Sequence, residues 1–241
     1  LAKDSMFIFI ETTIDIQTLV SSETQFLYTD AIEFDTGSNL QKVELVTLVK
    51  DAVFIYPQRF LNSEGDYITE TLTFDVDGDG MDDETSIEGR FLDDSELTFT
   101  NDKPYVIYGY AAVNDGKTLT IEAGARVHFH SNSGLLVTSG GSINAQGTLS
   151  VDQELMEGEI IFEGDRLEPG FSDVPGQWQT IWLFNGSTNN IFDHVTIKNS
   201  TVGLLSEGNQ DDVSKLNITN TQIYNSSNFG ILGRATSINA E

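Results

Sequence analysis

The chain contains no cysteine. A disulfide framework and thiol chemistry are excluded, although the absence assigns no compartment, because many exported bacterial proteins also lack it. Basic side chains are scarce: 12 Lys and Arg stand against 38 Asp and Glu, a formal net charge of −26. Nucleic acid and an anionic membrane surface would be repelled, and acidic polysaccharide is a poor partner unless calcium bridges it. Only 3 histidines are present, His128, His130 and His194. No apolar run reaches the length of a membrane helix, and no signal peptide is visible. Helical periodicity is nearly absent. The chain opens on Leu1 and closes on Glu241 within a β pattern, so a piece of a longer protein is expected.

What remains is strand. Short β-branched and aromatic runs alternate with Gly, Asn, Asp and Ser turns, the pattern of an all-β protein. Three regions differ in texture. Residues 1–55 carry strand signals at Ser5–Ile14, Ala31–Phe34 and Lys42–Val53. They are expected to form part of an immunoglobulin-like sandwich, whose roughly seven strands exceed what this stretch holds. Residues 56–102 are expected as a linking insert, with strands at Tyr67–Phe74 and Thr85–Phe91 flanking an acidic loop. Residues 103–241 hold short strands without hairpin signals, including Thr118–Ile121, Arg126–His130, Gly134–Val137, Glu159–Glu163 and Leu216–Thr219.

This last region repeats. Thr196-Ile-Lys-Asn-Ser-Thr-Val-Gly-Leu-Leu echoes Gln222-Ile-Tyr-Asn-Ser-Ser-Asn-Phe-Gly-Ile-Leu, matching Ile197 with Ile223 and Asn199 with Asn225. Thr120-Ile-Glu-Ala-Gly and Ser142-Ile-Asn-Ala-Gln-Gly give a weaker echo. The offset suits one rung of a parallel β-helix, in which each strand stacks on its equivalent and the inward apolar residues form a column. Ile121, Val127, Ile143, Ile161, Ile181, Ile197, Ile218 and Ile223 are the expected inward set. The competing architecture is a second antiparallel sandwich.

The most specific chemistry lies at Asp75-Val-Asp-Gly-Asp-Gly-Met-Asp-Asp. Asp75, Asp77 and Asp79 alternate, Gly80 permits a sharp turn, and Asp83 falls at the ninth position of a twelve-residue calcium loop. One loop can then surround a hard cation with oxygens, the Met81 carbonyl serving at the seventh position. Position twelve departs from the pattern: Ser86 replaces the bidentate Glu, leaving Glu84, Glu88 or a more distant group. A structural calcium ion is expected on Asp75, Asp77, Asp79, Met81 and Asp83, the alternative being a solvated acidic turn.

Several segments resemble a known family. They are Asn101-Asp-Lys-Pro-Tyr-Val-Ile-Tyr, Leu119-Thr-Ile-Glu-Ala-Gly-Ala-Arg-Val-His-Phe-His, Phe162-Glu-Gly-Asp-Arg-Leu-Glu, Asp173-Val-Pro-Gly-Gln-Trp and Ile181-Trp-Leu-Phe-Asn-Gly-Ser. They look like the right-handed parallel β-helix lipoproteins of the Bacteroidota cell surface, in which an immunoglobulin-like domain precedes the helix. Residues 1–14 and 42–53 look like the end of that domain. The resemblance implies export and a lipid anchor on an N-terminal Cys outside this chain. The aspartate loop lies outside the shared motifs.

Catalytic signals are thin. His128 and His130 share one strand face, but a metal pair needs a third ligand, and the two are read as flanking an inward Phe129. Glu163, Asp165, Arg166, Glu168 and Asp173 form a charged patch near Trp178 and Trp182; they suit either a glycan-cleaving site or a long structured loop. No catalytic residues are assigned. The expected function is a non-catalytic, rigid platform at the cell surface that binds another outer-membrane or extracellular protein. A polysaccharide lyase or glycoside hydrolase is the alternative. A glycan-binding module, betrayed by exposed aromatic platforms, is the third.

Overall fold

The computed structural model describes residues 25–34 and 40–241, and all its regular structure is strand apart from two short 3-10 turns. The chain forms two compact units, Leu1–Asp51 and Ala52–Glu241. In the first, β1 (Gln25–Phe34) and β2 (Gln41–Lys50) pair antiparallel without a break, from Gln25 opposite Lys50 to Phe34 opposite Gln41. This two-stranded antiparallel sheet lies in the stretch expected to be part of a sandwich; the strand expected at Ser5–Ile14 lies outside the described residues.

The second unit begins with β3 (Val53–Ile55), β4 (Arg59–Leu61), β5 (Tyr67–Thr69), β6 (Thr71–Phe74), β7 (Asp83–Phe91) and β8 (Thr98–Phe99). Three strands per coil follow. The first coil holds β9 (Tyr105–Ile107), β10 (Tyr110–Val113) and β11 (Thr118–Ile121). The next holds β12 (Arg126–Phe129), β13 (Gly134–Val137) and β14 (Ser142–Gln146). Then come β15 (Ile160–Gly164), β16 (Ile181–Leu183) and β17 (Asn190–Asp193), followed by β18 (Val195–Lys198), β19 (Val202–Glu207) and β20 (Leu216–Thr219). The series ends with β21 (Gln222–Tyr224), β22 (Phe229–Arg234) and β23 (Asn239–Ala240).

Each strand pairs parallel with the strand one coil away. Three stacked sheets result: β3-β9-β12-β15-β18-β21, β7-β10-β13-β16-β19-β22 and β8-β11-β14-β17-β20-β23. This is a parallel β-helix. Among the described residues of this unit, the antiparallel strand pairs are the hairpins β4–β5 and β6–β7. The segment 56–102 holds both hairpins, yet it also starts the coils. Gly89–Phe91 of β7 pair parallel with β10, and β8 pairs parallel with β11. The Arg90–Glu96 ion pair (2.6 Å) ties β7 to the turn before β8.

The period of two along each strand sends alternate side chains into the coil. Val127, Phe162, Ile197 and Ile223 stack as register partners in the first sheet. Phe129 lies between Phe162, with centroids 6.3 Å apart, and Trp178 at 4.2 Å. Of the expected inward set, Ile121, Val127, Ile143, Ile181, Ile197 and Ile218 join this core, and Ile223 packs against it. They are spread over three sheets rather than one column. Ile161 is the exception: Ile160 and Phe162 fill the core, so Ile161 points outward between Arg126 and Thr196.

The echo of Ile197 with Ile223 matches their pairing, and Asn199 and Asn225 both turn corners at positive φ, 64° and 53°. The weaker echo is displaced by two residues. Ile143 faces Leu119, not Ile121. A slip of two keeps every side chain on its face, which is why the inward assignment survived it. Gly208 shows why some corners demand glycine. Its φ is +70°, and a side chain there would run into the Asn185 carboxamide of the preceding coil.

The β6–β7 hairpin lies on the outer face of the second sheet. Leu72 and Phe74 bury themselves against Ala112, Leu136 and Phe184, forming an apolar cluster separate from the coil interior. Phe74 meets Phe184 edge-on, with centroids 5.2 Å apart.

Candidate functional site

The acidic loop joins β6 to β7, directly after the seated Phe74. Its carboxylates accept hydrogen bonds from its own backbone. Asp75 accepts from Gly78 N (2.7 Å) and Gly80 N (3.0 Å), and Asp83 from Val76 N (3.0 Å). Asp77 accepts from Asp79 N (3.1 Å), and Asp79 from Met81 N (2.8 Å). Gly78 and Gly80 take positive φ, 82° and 87°, which folds the loop back on itself. Carboxylate oxygens of Asp75, Asp77 and Asp83 consequently lie within 4.8 Å of one another. Like charges this close repel, and a hard cation among them would relieve that repulsion with oxygen ligands.

Three of the four aspartates expected as ligands are thus brought together. Asp79 is turned toward the Met81 amide, and the Met81 side chain is exposed. Glu84 and Glu88 sit on β7 opposite Thr73 and Thr71.

A second constellation lies on the outer face of the first sheet. Register places Phe54, Val106, His128 and Glu163 in one outward column across four strands. Glu163 stands between His128 Nδ1 (3.5 Å) and Lys198 Nζ (2.7 Å). Beyond the strand ends, Tyr108 stacks on His130 at 4.5 Å, and His130 Nδ1 meets Asp165 Oδ2 at 2.7 Å. Burial, reinforced by the Asp165 charge, raises the Tyr108 hydroxyl pKa, so it remains a neutral donor.

The charged patch expected from Glu163 to Asp173 therefore divides. Glu163 and Asp165 engage the histidines. Arg166 pairs with Glu168 at 2.9 Å and lies 3.9 Å over the Phe171 ring, while Asp173 accepts from Asn225 at 3.4 Å. Trp178 is buried in the core and donates Nε1–H to the Lys198 carbonyl at 2.9 Å. Trp182 belongs to the second sheet and donates to Glu207 at 2.7 Å. Phe129 is inward, flanked by His128 and His130 as expected; His130 is exposed, whereas His128, read as facing solvent or a loop, is buried beside Glu163.

Comparison with family models, with curated proteins and with solved structures found no match.

Two features were missed in the sequence. One is a cleft of about 760 Å³ beside the histidine column, lined by Phe54, Tyr56, Arg59, Tyr108, His130 and Asn132 among others. The other is Lys215, whose side chain is wholly buried. Its ammonium donates to the Phe184 carbonyl (2.6 Å) and Ser187 Oγ (2.8 Å), and burial lowers its pKa to about 8.

Proposed function

We propose that this chain is part of a non-catalytic cell-surface protein, an outer-membrane lipoprotein of the Bacteroidota type. Its β-helix is a rigid platform for another outer-membrane or extracellular protein. Calcium on the Asp75, Asp77 and Asp83 carboxylates, with Asp79 and the Met81 carbonyl as the further ligands the spacing offers, is a structural staple of the hairpin.

The observation that carries the platform reading is the loop between β14 and β15. Leu149, Val151 and Leu155 are 74%, 96% and 68% exposed there. Exposed aliphatic side chains so close together favour contact with another surface. The loop is also held in one shape. Glu157 Oε1 accepts from Val151 N (2.6 Å), Asp152 Oδ1 from Glu154 N (2.9 Å), and Ser150 Oγ from Gly158 N (3.0 Å). Arg126 donates to the carbonyls of Leu155 (3.2 Å), Met156 (2.8 Å) and Glu159 (2.7 Å). Ordering before contact lowers the entropic cost of docking. Asp152, Glu154 and Glu157 share the loop with the aliphatic groups, so the fitting partner has an apolar pocket with basic groups beside it.

Gentle detergent extraction from native membranes, followed by sizing, tests this reading. The expected result is a complex that shrinks to the monomer in the Leu149→Asp, Leu155→Asp double variant and loosens with salt. A monomer in every extract, or polysaccharide turnover abolished by Glu163→Gln, would overturn it.

A further inference from the structure

We infer that the cleft on the first coils is a binding site for a neutral glycan, with a pyranose ring resting on Tyr56. Phe54 is 53% exposed, Tyr56 59% and Tyr108 37%. Phe54 projects from the outer face of the first sheet; Tyr56 follows β3 and Tyr108 follows β9, at the same end of the stacked strands. Phe54 and Tyr56 are therefore held in the open by a stacked backbone, beside Tyr108, whose ring stacks on His130 at 4.5 Å. The volume, about 760 Å³, is in the range that encloses a small ligand.

The chemistry of the walls selects the ligand class. A pyranose presents an apolar C–H face and a rim of hydroxyl groups. The aromatic rings suit the face, since they are large, stiff and apolar. Arg59 and the Asn132 carboxamide suit the rim, one supplying donors and the other both donors and an acceptor. Charge excludes the acidic sugars. Arg59 shares the lining with Glu88, and His130 is engaged by Asp165 at 2.7 Å, so no surplus of positive charge faces the cleft. The whole chain carries a net −26, which repels a uronate.

The test uses the intact chain and soluble cellohexaose, xylohexaose, laminarihexaose, mannohexaose and maltohexaose, with trigalacturonate as the anionic arm. Binding is read by saturation-transfer NMR and titration calorimetry. At least one neutral hexaose is expected to bind, and Tyr56→Ala to weaken it roughly tenfold, the loss of one well-placed contact. Tyr67→Ala, outside the cleft, is the control and should bind as the parent does. Because Tyr56 is largely exposed, its removal leaves the fold intact, which matched melting curves would verify. Failure of all five neutral hexaoses, equal binding by Tyr56→Ala, or tighter binding of trigalacturonate would each overturn the assignment.

Discussion

The coils and the hairpin lying on them bury apolar residues by opposite means. A coil strand such as β15 is held on both sides, paired parallel with β12 and β18, and its Phe162 is enclosed within the helix. The hairpin strand β6 is held by β7 alone and buries one face, Leu72 and Phe74, against the outside of the second sheet. Stability in the coils is shared with neighbours, as in any stacked repeat. In the hairpin it depends on a local seat and on the loop that closes it.

Substitution should expose this difference. Phe162→Ala removes an aromatic from the centre of the stack, and about 4 kcal/mol of stability should be lost in chemical denaturation. The loss should appear in the cooperative unfolding of the whole β-helix. Phe74→Ala should cost less, about 3 kcal/mol, because the outer face relaxes more easily around a one-sided contact. Its effect should be confined to the hairpin, visible as faster proteolysis near the acidic loop while the main transition hardly moves. Equal global losses would erase the distinction.

Lys215 offers a pH test of the coil interior. Its pKa is lowered from 10.5 to about 8 by burial. Between those values the unfolded chain binds the proton and the folded one does not, so this residue's contribution to stability rises with pH. Below about pH 7 both states are protonated and the penalty is fully present. From pH 8 to 9.5 the wild type should gain about 1.5 kcal/mol relative to Lys215→Met. A constant difference between the two proteins across that window would contradict the burial.

Calcium should have a smaller effect. Saturating the folded loop adds stability by mass action, about 1 to 2 kcal/mol for millimolar calcium at a site of modest affinity. Proteolytic melting of the hairpin should move upward with calcium and return with chelator. Asp77→Ala should erase most of the gain; an unchanged curve with and without chelator would remove the cation from the account.

How legible these regions were follows from the range of their contacts. The strands at Thr118–Ile121, Gly134–Val137 and Leu216–Thr219 coincide with β11, β13 and β20, since each is a short apolar run closed by turn residues. The face of Ile161 was not legible because Ile160-Ile161-Phe162 is apolar throughout, and only pairing shows which two residues enter the core. The clustering of Asp75, Asp77 and Asp83 was readable because their spacing is local, although the direction of Asp79 was not. The cleft was hidden for the opposite reason. Tyr56, Tyr108 and His130 meet only after coils of unequal length have stacked, and the two hairpins between β3 and β9 erase any fixed repeat.

The most direct test of a cation-stapled hairpin on a self-supporting coil is amide hydrogen exchange with calcium and with chelator. Chelation should accelerate exchange in Thr71–Phe74 and in the part of β7 next to the loop, and leave the strands from Tyr105 to Lys198 unchanged. Identical exchange in both conditions, or a uniform loss of protection through the coils, would contradict it.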